Sequence, residues 1–259
     1  MRSKGGKKAV LELKNIVKRF HTGTADETTL FDHFNFSVNK GDFVSIIGSN
    51  GSGKTTLLNL ICGSMPADEG SIFFEGKDIT RLSEHKRAAY IGRVFQDPQK
   101  GSCKDLTILE NMALADNKQG RYSLGRGINR KRTDYYRTLL ESCEMGLENR
   151  IYTPVGALSG GQRQALALVI ANMTNIDLLI LDEHTAALDP KSSETVMKLT
   201  DRLVKEKGIT TLMVTHNLRF ALEYGNRLVM MHEGHSILDV SGTEKAETSM
   251  DQILSIFNS

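Results

Sequence analysis

Three groups of residues in this chain have the types and spacing to handle a chain of phosphates. The first is Gly48-Ser49-Asn50-Gly51-Ser52-Gly53-Lys54-Thr55-Thr56, which fits the pattern G-x-x-x-x-G-K-[ST]. Its glycines let successive backbone N–H groups turn inward around phosphate oxygens with no Cβ in the way. Lys54 supplies a full positive charge for β- and γ-phosphates, and the Thr55 hydroxyl is the expected ligand for Mg²⁺. The second group, Asp182-Glu183, ends an apolar run. Asp182 is the Mg²⁺ ligand expected opposite Thr55, and Glu183 the base expected to take a proton from the water that attacks the γ-phosphate. The third is Leu158-Ser159-Gly160-Gly161-Gln162-Arg163-Gln164. Ser159 with Gln162 three residues on reads as a capping box, and the glycines leave N–H groups accessible to an anion; both can hold at once. Two glycines start a helix poorly. The anion role is therefore expected to dominate, with loss of the Ser159 hydroxyl leaving the isolated chain nearly as stable.

The flanking sequence supplies elements that could position these groups. Residues 42–47 read as a buried strand and residues 55–62 as a helix ending at Gly63. Without them the glycine pattern would be only a Gly/Ser-rich turn. Residues 177–181 are a second buried strand, and ligands of open parallel sheets sit at the carboxyl ends of strands, so the loop and the acids should converge. Residues 10–13 and 34–38 alternate like half-exposed strands, residues 14–20 less regularly, with a polar loop at 22–28. The first fifty residues therefore predict a mostly antiparallel β layer. Strands are expected at 70–75 and 91–95, with a helix at 83–89 capped by Ser83. From Asp97 to Ala157 strand-like runs thin out, and residues 106–115 and 133–145 show helical spacing. Between them the segment 118–137 is basic and reads as a solvated face, since no aromatic stacking platform accompanies it. The rest alternates: helix 165–173, strand 177–181, helix 190–205, strand 209–214, helix 218–224, strands 227–232 and 236–240, and a last helix 249–257. The fold class is α/β: an antiparallel layer, a parallel-sheet core and an inserted helical subdomain. Residues 1–96 and 158–259 are read as the core and 97–157 as the insertion.

Composition narrows the class. Lys and Arg number 33 against 31 Asp and Glu, a formal charge of +2 that makes no case for nucleic-acid binding. The cysteines, Cys62, Cys103 and Cys143, lie far apart with no C-x-x-C spacing, which argues against a disulfide scaffold or a zinc site and fits a reducing cytosol. No apolar run approaches the roughly 18 residues of a membrane span, and the basic N-terminus reads as a frayed tail without a signal core.

Leu158-Ser159-Gly160-Gly161-Gln162 between a phosphate loop and Leu179-Ile180-Leu181-Asp182-Glu183 resembles the ATP-binding-cassette (ABC) ATPases, and the resemblance covers nearly the whole chain. It implies further roles. Gln96 matches the glutamine that senses Mg²⁺ and the attacking water and opens the segment that meets the membrane partner. Ala187-Leu188-Asp189 matches the loop that crosses to the opposing subunit; Asp189 before Pro190 is also a good helix cap. His216 matches the histidine that contacts the γ-phosphate. Phe20 is the candidate for stacking on adenine, with His21 second. In the family two cassettes pair head to tail with ATP between the phosphate loop of one and the Ser159 stretch of the other. The implied partners are thus a second copy, an integral membrane permease and, through it, an extracytoplasmic substrate-binding protein. The implied place is the cytoplasmic side of the plasma membrane. Asp-Glu-His-Thr departs from the usual Asp-Glu-Pro-Thr at His184, for which a structural role is expected. The wording around it is similar to a bacterial group that imports aromatic amino acids or related solutes. A chromosome-maintenance ATPase would need long heptad arms and a translation-factor ATPase two cassettes. The alternative kept open is a lone soluble cassette of the iron–sulfur assembly type.

Overall fold

A computed structural model of the chain describes residues 9–117 and 129–257. Its smaller sheet joins β1 (Ala9–Phe20), β2 (Thr28–Asn39), β4 (Glu69–Phe74) and the two-residue β5 (Lys77–Asp78) in the antiparallel order β2-β1-β4-β5. The irregular second half of β1 has a local cause. Asn15 takes a left-handed backbone (φ 51°), and the register of β1 against β2 slips between Leu13 and Ile16.

The larger sheet carries the site. It is built from β3 (Phe43–Gly48), β6 (Ile91–Val94), β7 (Leu178–Asp182), β8 (Thr210–Val214), β9 (Arg227–His232) and β10 (His235–Ser241), in the order β10-β9-β3-β8-β7-β6. All neighbours are parallel except β10, which closes the edge antiparallel to β9. Every residue of β3 and β8 is buried, as expected of parallel strands covered on both faces. Val214 pairs with Ile46 of β3 on one side and Asp182 of β7 on the other. Two strand spacings, about 10 Å, thus separate Ile46, two residues before the end of β3, from Asp182.

Helices cover both faces. α1 (Lys54–Cys62) lies between the sheets: Leu57, Leu58 and Ile61 share one apolar cluster with Leu11 and Phe31 of the small sheet and with Ile46 and Val214 of the large one. Behind the large sheet, α3 (Ile108–Asp116), α4 (Thr133–Glu141), α5 (Gly160–Met173) and α6 (Pro190–Lys207) form a second cluster. Strand β7 divides between the two, Leu178 and Ile180 facing the first and Leu179 and Leu181 the second, by the alternation of a strand. α7 (Leu218–Glu223), α8 (Thr243–Glu247) and α9 (Met250–Phe257) complete the C-terminal end.

Several element boundaries differ from the sequence expectation. α4 stops at Glu141, and Glu144 is left-handed (φ 55°). The expected helix at 83–89 shrinks to α2 (Glu84–Arg87), where Ser83 holds the cap position but makes no side-chain capping bond. α8 was not expected. Of the basic segment, residues 118–128 lie outside the described residues, as does the N-terminal tail 1–8.

Candidate nucleotide site

Strand β3 ends at buried Gly48, where a Cβ would stand 2.2 Å from the Met231 carbonyl oxygen of β9. Only glycine lets the chain leave the sheet there. The loop then turns through left-handed Gly51 (φ 80°), and α1 begins at Lys54. Helices α3, α5, α6 and α7 are capped by the side chains of Thr107, Ser159, Asp189 and Asn217. α1 has no side-chain cap and no acid in its first turn. Its N–H groups and the positive end of its dipole are left to an anion from outside the chain.

Lys54 is buried against this loop, its Nζ donating to the carbonyls of Gly48 and Ser49 at 2.8 Å each and to Ser52 Oγ at 3.3 Å. Burial lowers its ammonium below the usual lysine value, while the Glu183 carboxylate pulls the other way. Lys54 of the loop and Glu183 just beyond β7 face one another across a common cleft of about 340 Å³, with Phe20, Asn50, Gly51, Gly53, Thr55, Thr56 and His216 also on its walls. Thr28 and Leu30 of β2 line it too. The sequence reading missed both, because it began the second strand at residue 34 and left Thr28 in the loop. Of the remaining loop residues Ser52 is buried and Ser49 exposed.

Glu183 sits just beyond β7 in a left-handed conformation (φ 48°), uncommon for a residue with a side chain. Its N–H donates to the Val214 carbonyl at 2.9 Å, and His216 Nε2 stands 2.7 Å from its Oε1. Asp182, one residue earlier, accepts at Oδ2 from Arg93 of β6 at 2.7 Å. Arg93 went unremarked in the sequence; a charged residue inside the strand-like run 91–95 was the available signal. Among the described residues no cluster of three or more His, Cys, Asp and Glu is placed to hold a metal unaided. Thr55 lines the cleft and Asp182, one residue before Glu183, does not; a carboxylate and a hydroxyl are oxygen donors of the kind that Mg²⁺ takes beside waters and phosphate oxygens.

Other expected site residues stand apart from this cleft. Gln96 is exposed, two residues past the end of β6, and does not line it. A second groove, about 430 Å³, shares Glu183 and His216 and runs along Thr185, Leu188 and Pro190. Asp189 caps α6, accepting from the Ser192 N–H at 3.0 Å, with Pro190 in the first turn.

At α5 the capping box is complete: Ser159 Oγ accepts from the Gln162 N–H at 3.2 Å, and Gln162 Oε1 accepts from the Ser159 N–H at 3.2 Å. The glycines also have a packing reason. A Cβ on Gly161 would lie 3.0 Å from Ser192 Cβ and one on Gly160 3.2 Å from Leu188 Cδ2, so bare backbone lets α5 press on the start of α6. This packing reason stands beside the anion-facing role expected of the two glycines.

His184 is structural as expected. It is fully buried, Nε2 lies 3.2 Å from Thr200 Oγ1, and that hydroxyl donates to the Val196 carbonyl, so the proton of the pair belongs to Nε2. Burial pushes its pKa down to about 3.

An uncapped helix end, a buried lysine and a carboxylate held by histidine in one cleft are the equipment of a nucleoside-triphosphate hydrolase built on a phosphate loop. The family model described as ABC transporter matches residues 31–186, and the chain belongs to that family. It is 45% identical over 248 residues to a tyrosine transport ATP-binding protein of Clostridioides difficile, covering 96% of this chain and 98% of that one. A Methanocaldococcus jannaschii protein named for branched-chain amino acid transport is 36% identical, with 91% of each chain covered. A solved ATP-binding cassette of an ABC transporter in its ADP conformation superposes with a TM-score of 0.80 at 32% identity, over 97% of this chain and 99% of that one. A dimeric cassette in a post-hydrolysis state with ADP and Pi gives 0.76 at 29% identity, over 89% and 98%. The chain is therefore an ATP-binding, ATP-hydrolysing subunit of the transporter class, and these relatives lend no support to an iron–sulfur assembly role. Among the described residues no helix is long and apolar enough to cross a membrane.

Proposed function

We propose that this chain powers uptake of an amino acid or a related small solute, as one of two identical cassettes on the cytoplasmic face of a membrane permease that an extracytoplasmic binding protein supplies. Support for the solute class comes from the relatives named for tyrosine and branched-chain amino acids. The observation that carries the head-to-tail pairing is the division of the site within one chain. Lys54, Thr55, Glu183 and His216 line one cleft, while Ser159 caps α5 outside its lining. A second copy supplies the missing wall, a pairing supported by the relative whose post-hydrolysis structure is dimeric. Ser159 spends only a lone pair on its cap, so its O–H proton is still available to a phosphate of the partner's nucleotide.

In this reading Phe20, with Leu30 beside it, stacks on adenine and the loop from Gly48 to Thr56 binds the phosphates. Thr55, Asp182 and Gln96 hold Mg²⁺, which neutralises phosphate charge when bound. Glu183 accepts the proton of the attacking water, His216 keeps the Glu183 carboxylate aimed and reaches the γ-phosphate, and Gly160, Gly161, Gln162 and Asp189 face the opposing subunit. The test is purification from native membranes after cross-linking, followed by reconstitution with what co-purifies. An integral membrane partner and ATP-dependent accumulation of tyrosine or another amino acid in vesicles are expected. Recovery of the chain free of any membrane protein would overturn the reading.

A further inference from the structure

The carboxylate assigned to Mg²⁺ is already occupied by a cation of the chain itself. Arg93 donates from one terminal nitrogen to Asp182 Oδ2 at 2.7 Å and from the other to Asn59 Oδ1 of α1 at 2.9 Å. Its guanidinium lies 4.8 Å from the centre of the Phe95 ring. Both members of the pair are mostly buried, with side-chain exposures of 12% and 13%. A guanidinium and a divalent ion on the same carboxylate repel each other, and at this depth solvent screens them poorly.

The guanidinium also has somewhere to go. A pocket of about 170 Å³ adjoins it, lined by Arg93 itself with Cys62, Glu84 and Phe95. The exposed Glu84 carboxylate on that lining can receive the charge, and the Phe95 ring, already in contact with the guanidinium, lines the same pocket.

We infer that Arg93 is a built-in counter-cation of the metal carboxylate: it holds Asp182 while the nucleotide site is empty and yields it, turning toward Glu84, when Mg²⁺ arrives with ATP. This rests on the reading of Asp182 as a Mg²⁺ ligand. Arg93 is thus a positioning residue that sets how much Mg²⁺ the cassette requires. Its departure alters the end of β6, the strand that leads into Gln96.

The experiment measures binding of a fluorescent mant-ATP to the full chain carrying Glu183→Gln, which keeps turnover out of the reading, as free Mg²⁺ is varied and in EDTA. Arg93→Met and Arg93→Gln, each checked for folding by circular dichroism, are expected to lower the half-saturating Mg²⁺ about tenfold while leaving affinity in EDTA unchanged. Glu84→Gln, which leaves Arg93 in place but removes its destination, is expected to raise it. Asp182→Asn separates the two layers. If it leaves the Mg²⁺ requirement unchanged, Asp182 is not the ligand and the inference falls with that reading. If it raises the requirement but the neutral Arg93 variants leave theirs equal to or above the parent's, the counter-cation role alone is wrong. Should neither Arg93 variant fold, an unchanged requirement in Glu84→Gln overturns it.

Discussion

Nε2 of His216 stands 2.7 Å from Oε1 of Glu183, joining the first residue after β7 to the second residue after β8. The contact depends on the left-handed turn of Glu183, whose N–H is pinned to the Val214 carbonyl two residues before His216. The carboxylate is the more buried partner, 15% exposed against 46% for the imidazole. The histidine thus fixes an acid already drawn into the protein and leaves its other oxygen, Oε2, for a water.

From this follows the expectation for Glu183→Gln. The amide keeps the shape and can still meet His216, but it cannot take a proton from water. Loss of a general base costs about 10²–10⁴ in rate. ATPase turnover should fall in that range while calorimetry shows ATP still bound, because Lys54 and the α1 terminus are untouched. Near-normal turnover in the reconstituted transporter would remove Glu183 from the role of base.

Lys54→Ala tests the other wall of the cleft. The ammonium rests on the carbonyls of Gly48 and Ser49, so the loop itself holds it in place. A hydrogen bond from a charged donor contributes about 1.5–3 kcal/mol, and the variant should bind ATP about 10- to 100-fold more weakly by calorimetry. An unchanged affinity would mean that the α1 amides carry the phosphates alone.

His184 makes stability depend on pH. It stays neutral in the fold down to about pH 3 but takes a proton near 6.5 when unfolded. The unfolded chain therefore binds the extra proton between those values. The stability that this burial preserves is complete above pH 6.5 and is lost as pH falls toward 3. Between about pH 7 and pH 5.5 the loss comes to about 1.3 kcal/mol. His184→Asn should remove that part of the slope in urea melts at the two pH values. Equal losses in wild type and variant would show that His184 does not titrate this way.

The parts legible in the sequence were those written into adjacent residues. The glycine loop, its strand and helix, and the acids after β7 each declare themselves within ten residues. What escaped lies across strands. Arg93 reaches Asp182 only because β6 pairs with β7, with Arg93 beside Ile180. Leu30 reaches the cleft because β2 passes beside Gly53, the residue before α1. The packing reason for the glycines of α5 was not legible either, since a contact with Leu188 and Ser192 some thirty residues away leaves no local trace. The end of α4 was overrun because helical spacing continued past the left-handed Glu144.

Ser159 separates two uses of one hydroxyl. The complete capping box means that Ser159→Ala should destabilise even the nucleotide-free chain, by about 1 kcal/mol. This replaces the expectation of an insensitive monomer. A cap uses the oxygen as acceptor, whereas a phosphate needs the hydroxyl proton, so the two uses respond to different substitutions. Ser159→Asp keeps a capping acceptor but presents a negative charge to the partner's phosphate; Ser159→Thr keeps both functions. In a Glu183→Gln background, thermal melts should rank Asp and Thr close to wild type and Ala below. ATP-driven association followed by light scattering should be kept by Thr, weakened by Ala and abolished by Asp. If Asp associates as well as Thr, Ser159 serves its own helix and nothing in the opposing subunit.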